Sequence, residues 1–404
     1  MPDAENIGAN ELPKLAPECR VAKRRLVLLS EIIAPYRIPV FNALAEAPGI
    51  DLHVIFLAET DAVLRQWQIY KNEIRFQYEV LPSWRVRAGR KNLLLNRKLL
   101  SRLKAIAPQV ILCGGYNYAA SWQALSWARR NHADFVLWCE SNRHDTRSGN
   151  AVVESLKRNF TKRCTRFVVP GTASLEYLVS LGAASGKILV APNAVDNDTY
   201  YRNAHEIRGR QAEFREQLSL PERFLLFVGR LVPEKGVFDL LEAYSKLDTA
   251  LRSKVGLVFT GDGVARDKLK AAARGVQPGR VCFPGFAQRE ELAALYGLAD
   301  ALVLPTHSDP WGLVVNEAMA CGLPVIVTDV AGCSADLVQD GWNGYIVPPR
   351  NPGRLTDVLD SFLRDDERMK RMGMRSLEKI REFSPKACAK GLAAAALACQ
   401  GEKE

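Results

Sequence analysis

Residues 223–247 read RFLLFVGRLVPEKGVFDLLEAYSKL. An apolar run closes on Gly229 and Arg230, a short polar loop follows, and from Val237 apolar residues recur at helical spacing through Leu240, Leu241 and Tyr244. That is a strand entering a helix. The same order opens the first half, where RRLVLLSEI leads into PYRIPVFNALAEA. Working outward, DLHVIFLA, QVILCGG, FVLWCE, RFVVPG and KILVAPN lie before the stretch, and VGLVFTGDG, GRVCFPGF, ADALVLPT, PVIVTDV and GYIVPP after it. All read as strands separated by amphipathic segments, which implies parallel sheets covered on both faces. The expected fold class is α/β, with two Rossmann-like domains whose sheets face a central cleft. The expected division is a loose tail over 1–20, a first domain over 21–195, a second over 196–375, and a helical segment over 376–404 packing back toward the first domain.

The 404 residues are 48% hydrophobic and 25% charged, which is globular usage and excludes disordered or fibrous chains. The net charge of +10 is unevenly placed: 27 basic residues face 17 acidic ones up to Asp196, and 28 face 28 beyond it. A basic first half favours anionic partners. The nine cysteines are scattered without a C-x-x-C pair, so neither a disulfide framework nor a zinc site is expected, and a reducing cytoplasm fits. No stretch near the start is long enough to span a bilayer, so the chain is expected to be cytoplasmic, touching membranes at most from the inner face.

Chemistry concentrates at 300–350. A strand ends at Pro305, a polar loop carries Asp309, Pro310, Trp311 and Gly312, and the helical run VVNEAMAC stops at Gly322 and Pro324. The N–H groups of Gly312, Leu313 and Val314 then open a helix, a setting that stabilises phosphate. Asp309 and Glu317 address the same space from two heights and suit sugar hydroxyls. In the second half's first loop Gly229 allows close backbone approach, and Arg230 and Lys235 suit a diphosphate. Taken singly, these two cations are ordinary solvated loop charges near Glu234; their convergence on one sheet edge with the Gly312 helix start favours a site. Neither G-x-G-x-x-G nor a P-loop occurs.

The stretches FVGRLVPEKGVFDLLEAY, FTGDG, FPGFAQREELAALYGLAD, DPWGLVVNEAMACGLPVI and APNAVDNDTY resemble family 4 of the glycosyltransferases, retaining enzymes of the GT-B fold that use nucleotide-diphosphate sugars. The resemblance implies that Arg230 and Lys235 bind and stabilise the donor diphosphate, and that Glu317 holds the ribose. It places Asp309 where the family's first glutamate contacts the transferred sugar. It also implies backbone donors at Gly312 and Leu313, a nucleobase border at Phe283 and Pro284, and further donor-binding positions at Gly229, Trp311 and Val314. No metal or other cofactor is expected.

Three departures stand out. Asp309 is one methylene shorter than the usual glutamate. The glycine-rich loop after the first strand is replaced by IIAPYRIPVF, where Tyr36 and Arg37 are acceptor or loop candidates. The family's first-domain histidine has no counterpart; FVLWCESNRHDTR offers Glu140, which could orient the acceptor hydroxyl, accept its proton or contact the donor sugar, and His144 four residues on. Glu140 could equally close its own loop through Arg143 or Arg147. His307, two residues before Asp309, could approach the donor.

Residues 85–104, RVRAGRKNLLLNRKLLSRLK, hold eight basic residues and no acidic one. A helix over 92–107 gathers the leucines on one side and the charges on the other, with Leu94 alone out of place. Such a helix either docks on the sheet or lies on an anionic membrane. The expected function is metal-independent retaining transfer of a sugar from a UDP- or GDP-type donor to a lipid-linked or envelope saccharide. The rival readings are an enzyme for free sugars or sugar phosphates and a non-catalytic scaffold of the same fold. Nucleic acid is not an expected partner, because the basic cluster lacks interleaved aromatics.

Overall fold

The computed structural model describes residues 23–61, 66–88, 91–144 and 151–398; the expected tail over 1–20 lies outside them. The first domain is built on β1 (Arg24–Ser30), β2 (Ile50–Phe56), β3 (Gln77–Val80), β6 (Val110–Gly114), β7 (Asp134–Trp138), β8 (Arg166–Val169) and β9 (Ile188–Val190), with a hairpin of β4 (Ser83–Ala88) and β5 (Lys91–Asn96) inserted. Its sheet is parallel, in the order β3-β2-β1-β6-β7-β8-β9. The second domain carries β10 (Arg223–Val228), β11 (Val255–Thr260), β12 (Val281–Gly285), β13 (Ala301–Leu304), β14 (Val325–Thr328) and β15 (Gly344–Val347), parallel in the order β12-β11-β10-β13-β14-β15.

Both sheets are covered on both faces, so their central strands are unbroken apolar runs: Leu26, Val27 and Leu28 in β1 and Phe224 to Phe227 in β10 are fully buried. The order of the strands reverses once in each sheet, between β1 and β6 and between β10 and β13. Loops leaving the carboxyl ends of two such strands part to opposite faces and leave a crevice. The loops 229–236 and 305–312 flank the crevice of the second domain, and the loop 31–37 borders that of the first.

The second domain opens on the helix Asn197–Gly209, whose first turn is capped by Asp196 accepting from Thr199 N at 3.1 Å. The chain recrosses at its far end. In the helix Pro385–Ala398, Cys388, Leu392, Ala395 and Ala396 are buried in the first domain's core, against the helix Ile38–Ala45 and β9.

The expected helix over 92–107 is replaced by two elements, β5 and a helix Leu99–Ile106. Leu94, the residue misplaced on a helical wheel, is buried while Leu95 is exposed, which is strand alternation. Slipping the strand by one residue would put Leu94 in water, so burial fixes the register. Asn96 Nδ2 donates to Leu57 O at 2.6 Å and ties the hairpin down, and Lys98 turns the chain at φ 70° before the helix begins. β3 was likewise not anticipated; its short QYEV run pairs with β2 at the sheet edge.

Candidate active site

The candidate donor residues gather at the switch point of the second sheet. Arg230 follows β10 directly, is exposed, and makes no side-chain hydrogen bond or ion pair with the described residues. Lys235 ends a short 3-10 turn, Pro233–Lys235, and Gly236 follows at φ +68°. A Cβ at Gly236 would lie 1.9 Å from Pro305 O, so the two loops touch only because glycine stands there. That contact brings Lys235 Nζ to 2.5 Å from Asp309 Oδ2, and both side chains are about 15% exposed.

Asp309 also receives Trp311 N on Oδ1 at 3.3 Å, which folds the loop onto the helix Leu313–Ala320. Gly312 caps this helix at φ +98°, a left-handed conformation that any side chain would strain. The first N–H groups of the helix have no partner within it and face the loop end, where a phosphate would be stabilised. Leu313 and Val314 are partly exposed there.

Glu317, one turn further along, accepts from Tyr296 Oη at 2.7 Å and from Tyr200. Burial pushes its carboxyl up to about 7, against the two tyrosine bonds, which pull it down. On the neighbouring strand tips Phe283 stacks on Phe259 at 5.5 Å with the rings 13° apart, Lys270 lies 5.7 Å from the Phe283 ring, and Pro284 is exposed.

On the first-domain side of the cleft stand the candidates Arg37 and Glu140. Their side chains form an ion pair between the loop after β1 and the loop after β7. Arg37 is buried, lies 4.0 Å from the Trp138 ring and donates to Asn193 Oδ1 at 3.2 Å. Burial opposes its charge and the Glu140 carboxylate supports it, and the balance raises its pKa above the ordinary arginine value. Glu140 keeps 40% of its side chain exposed. Arg37, an acceptor or loop candidate in the sequence, is thus a buried partner that holds Glu140. Of the loop partners considered for Glu140, Arg143 is exposed and Arg147 lies outside the described residues.

Two sequence models of known families match the chain: "Glycosyl transferases group 1" over residues 210–379 and "Glycosyltransferase Family 4" over 41–199. The chain belongs to glycosyltransferase family 4. The alpha-D-kanosaminyltransferase of Streptomyces kanamyceticus is 35% identical over 170 residues, covering 41% of this chain and 43% of that protein. A D-inositol 3-phosphate glycosyltransferase of Xylanimonas cellulosilytica is 35% identical over 213 residues, or 52% and 51% of the two chains. The chain thus spans about half the length of the curated relatives it matches. In three dimensions it is similar to HepE of Anabaena, solved with UDP, at a TM-score of 0.71 and 17% identity over 93% of this chain and 100% of that one. The architecture is that of the GT-B glycosyltransferases.

Not every family position faces the cleft in this member. Trp311 is buried: its Nε1 donates to Asn316 Oδ1 at 2.8 Å and its ring packs near Phe383, so it shapes the loop from beneath instead of lining the donor site. Tyr36 packs edge-on against Trp67 at 5.9 Å. His144 is exposed, and its backbone carbonyl, not its ring, meets the other domain by accepting from Ser308 Oγ at 2.6 Å. His307 turns away to Asp239 at 2.8 Å.

Several participants escaped sequence reasoning. Asn316 Nδ2 reaches Asn193 O at 2.9 Å, joining the donor helix to the linker between domains. An asparagine beside Glu317 in a helix whose other residues are apolar was the available signal, since a buried amide requires partners. Arg289 pairs with both Glu73 oxygens at 2.6 and 3.0 Å and lies 3.9 Å from the Tyr70 ring, clasping the domains at the rim; more than two hundred residues separate the partners, and nothing local announces it. Among the described residues no group of three His, Cys, Asp or Glu side chains gathers as a metal site.

Proposed function

We propose that this protein transfers a sugar, with retention, from a nucleotide-diphosphate donor to a saccharide hydroxyl. The observation that carries the reading is the convergence of Lys235, Asp309 and the Gly312 helix start at one crevice beside the unpaired Arg230. In the reaction the acceptor oxygen bonds the anomeric carbon. The carbon–oxygen bond to the diphosphate breaks, leaving its electron pair on phosphate, and the hydroxyl proton passes to Glu140. Arg230, Lys235 and the helix N–H groups meet the charge that develops on the leaving diphosphate, the effect that usually dominates such catalysis. Asp309 addresses the transferred sugar, Glu317 the ribose, and Phe283 and Pro284 border the base. Two cations and a helix start serve the diphosphate in this reading without a metal, so turnover is expected to survive millimolar EDTA; its loss with EDTA and recovery with magnesium or manganese would overturn this part.

HepE of Anabaena has been solved in complex with UDP and with UDP-glucose, which supports a UDP-type donor here. A thermal-shift screen of UDP-, GDP- and ADP-sugars tests the reading, because a ligand of the folded state raises Tm. No shift with any of them would remove it.

A lipid-linked or envelope acceptor is favoured by one surface. The cross-strand pair Trp84 and Leu95 is 57% and 43% exposed on the β4–β5 hairpin, with Arg97 4.5 Å from the Trp84 ring and Lys98 exposed beside it. Aromatic and basic groups together suit the anionic inner face of a membrane, each charge adding about 1 kcal/mol. No helix among the described residues is long and apolar enough to cross a bilayer, so contact would be peripheral. Co-sedimentation with phosphatidylglycerol vesicles but not phosphatidylcholine vesicles, weakened in Trp84→Ala, is the expected result; equal recovery with both would send the acceptor reading to free sugars.

A further inference from the structure

Asn142 is 1% exposed, yet it belongs to a loop of the first domain that ends at the cleft. Its Nδ2 donates across the cleft to two backbone carbonyls of the donor loop, Asp309 O at 3.1 Å and Pro310 O at 3.3 Å. Its Oδ1 accepts from His144 N at 2.9 Å, so the amide is fully used. Ser308 Oγ donates back to His144 O at 2.6 Å, making the connection reciprocal. The seat is shaped for it: a Cβ at Gly332 would lie 1.9 Å from Pro310 O and 3.0 Å from Asn142 Nδ2.

The neighbours of this contact are the two reacting sides. Glu140 stands two residues before Asn142 and is anchored by Arg37. Asp309 accepts from Asn142 with its backbone and holds Lys235 with its side chain. A continuous path therefore runs from Arg37 through Glu140, Asn142 and Asp309 to Lys235. We propose that Asn142 is a positioning residue that fixes the acceptor loop against the donor loop, so that Glu140 and Asp309 reach their working separation only when the domains are docked. This rests on the donor and acceptor sides proposed above. A misplacement of about 1 Å between reacting groups costs on the order of a hundredfold in rate, which is why such a strap matters.

Asn142→Asp separates the roles. The carboxylate has the same shape and still accepts from His144 N, but it presents acceptors to two carbonyls in place of donors. The proposal expects backbone amide exchange over 307–312 in the unliganded chain to quicken about tenfold, the scale set by losing one net hydrogen bond. It expects kcat to fall tenfold or more while the Kd for UDP, which has no sugar to position, changes less than threefold. Asn142→Ala should match Asn142→Asp. If Asn142→Asp exchanges and turns over as wild type while Asn142→Ala does not, the residue only folds its own loop and the strap is refuted; wild-type behaviour of both variants refutes it equally. Failure of the wild-type chain to bind UDP or any nucleotide sugar would instead remove the donor reading and this proposal with it.

Discussion

Lys235 and Asp309 form an ion pair between the loops that leave β10 and β13, and neither side chain is more than 15% exposed. A lysine and a carboxylate so held lose stability when one partner is removed, because the other remains as an unpaired, largely buried charge. Lys235→Met is therefore expected to lower Tm and also to lower kcat/KM about 10²–10³-fold, the usual effect of losing one charge-stabilising donor. Combining it with Asp309→Asn should restore Tm but not turnover. Full recovery of activity in the double variant would show that the pair is structural only.

Glu317 links stability to pH. Its carboxyl is raised from 4.5 to about 7 in the folded chain by burial. A raised pKa means that the protonated form suits the fold: the contribution is fully present below about pH 4.5 and is lost as pH rises through about 7, by up to roughly 3 kcal/mol. Glu317→Gln, neutral at every pH, should gain Tm relative to wild type progressively between pH 4.5 and 7 and hold that gain above. A difference independent of pH would contradict the assignment. The same variant should weaken donor binding above about pH 7, where the wild-type carboxyl is ionised and offers the ribose a charged acceptor that Gln lacks.

Removing Arg37 should act on the acceptor side alone. Arg37→Met keeps much of the packing on Trp138 but releases Glu140, so kcat is expected to fall about tenfold or more while UDP affinity holds. Calorimetry with UDP beside steady-state kinetics makes the distinction, and equal loss of both would place Arg37 in the donor site.

Gly236→Ala tests the loop contact that seats Lys235. With φ at +68° and a Cβ 1.9 Å from Pro305 O, alanine must displace backbone. More than about 1 kcal/mol of destabilisation is expected, read as a drop in Tm. An unchanged Tm would mean the two loops are free to separate.

The parallel sheets were legible because strands buried on both faces are continuous apolar runs, as in β1, β10 and β11. The convergence of Gly312, Asp309 and Lys235 on one crevice was legible because each has a local reason for its residue type. What was misread lies where a local pattern has two solutions: the leucines of 93–95 fit a helical stripe apart from Leu94, and only burial against the sheet settles them as β5. Trp311 was misassigned because its indole is satisfied by Asn316 from within the core. Arg37 with Glu140, and Asn142 with Asp309, are partners 103 and 167 residues apart, and such pairings are fixed by the docking of elements rather than by spacing.

Arg230 and Lys235 are expected to bind a nucleoside diphosphate at the Gly312 helix start. Isothermal titration of UDP, and of GDP in parallel, into the full chain measures it directly. The account predicts single-site binding by at least one of them with Kd between about 1 μM and 1 mM, the range of working substrate affinities, weakened tenfold or more in both Arg230→Ala and Lys235→Met. No binding of either nucleotide, or equal affinity in wild type and both variants, would contradict it.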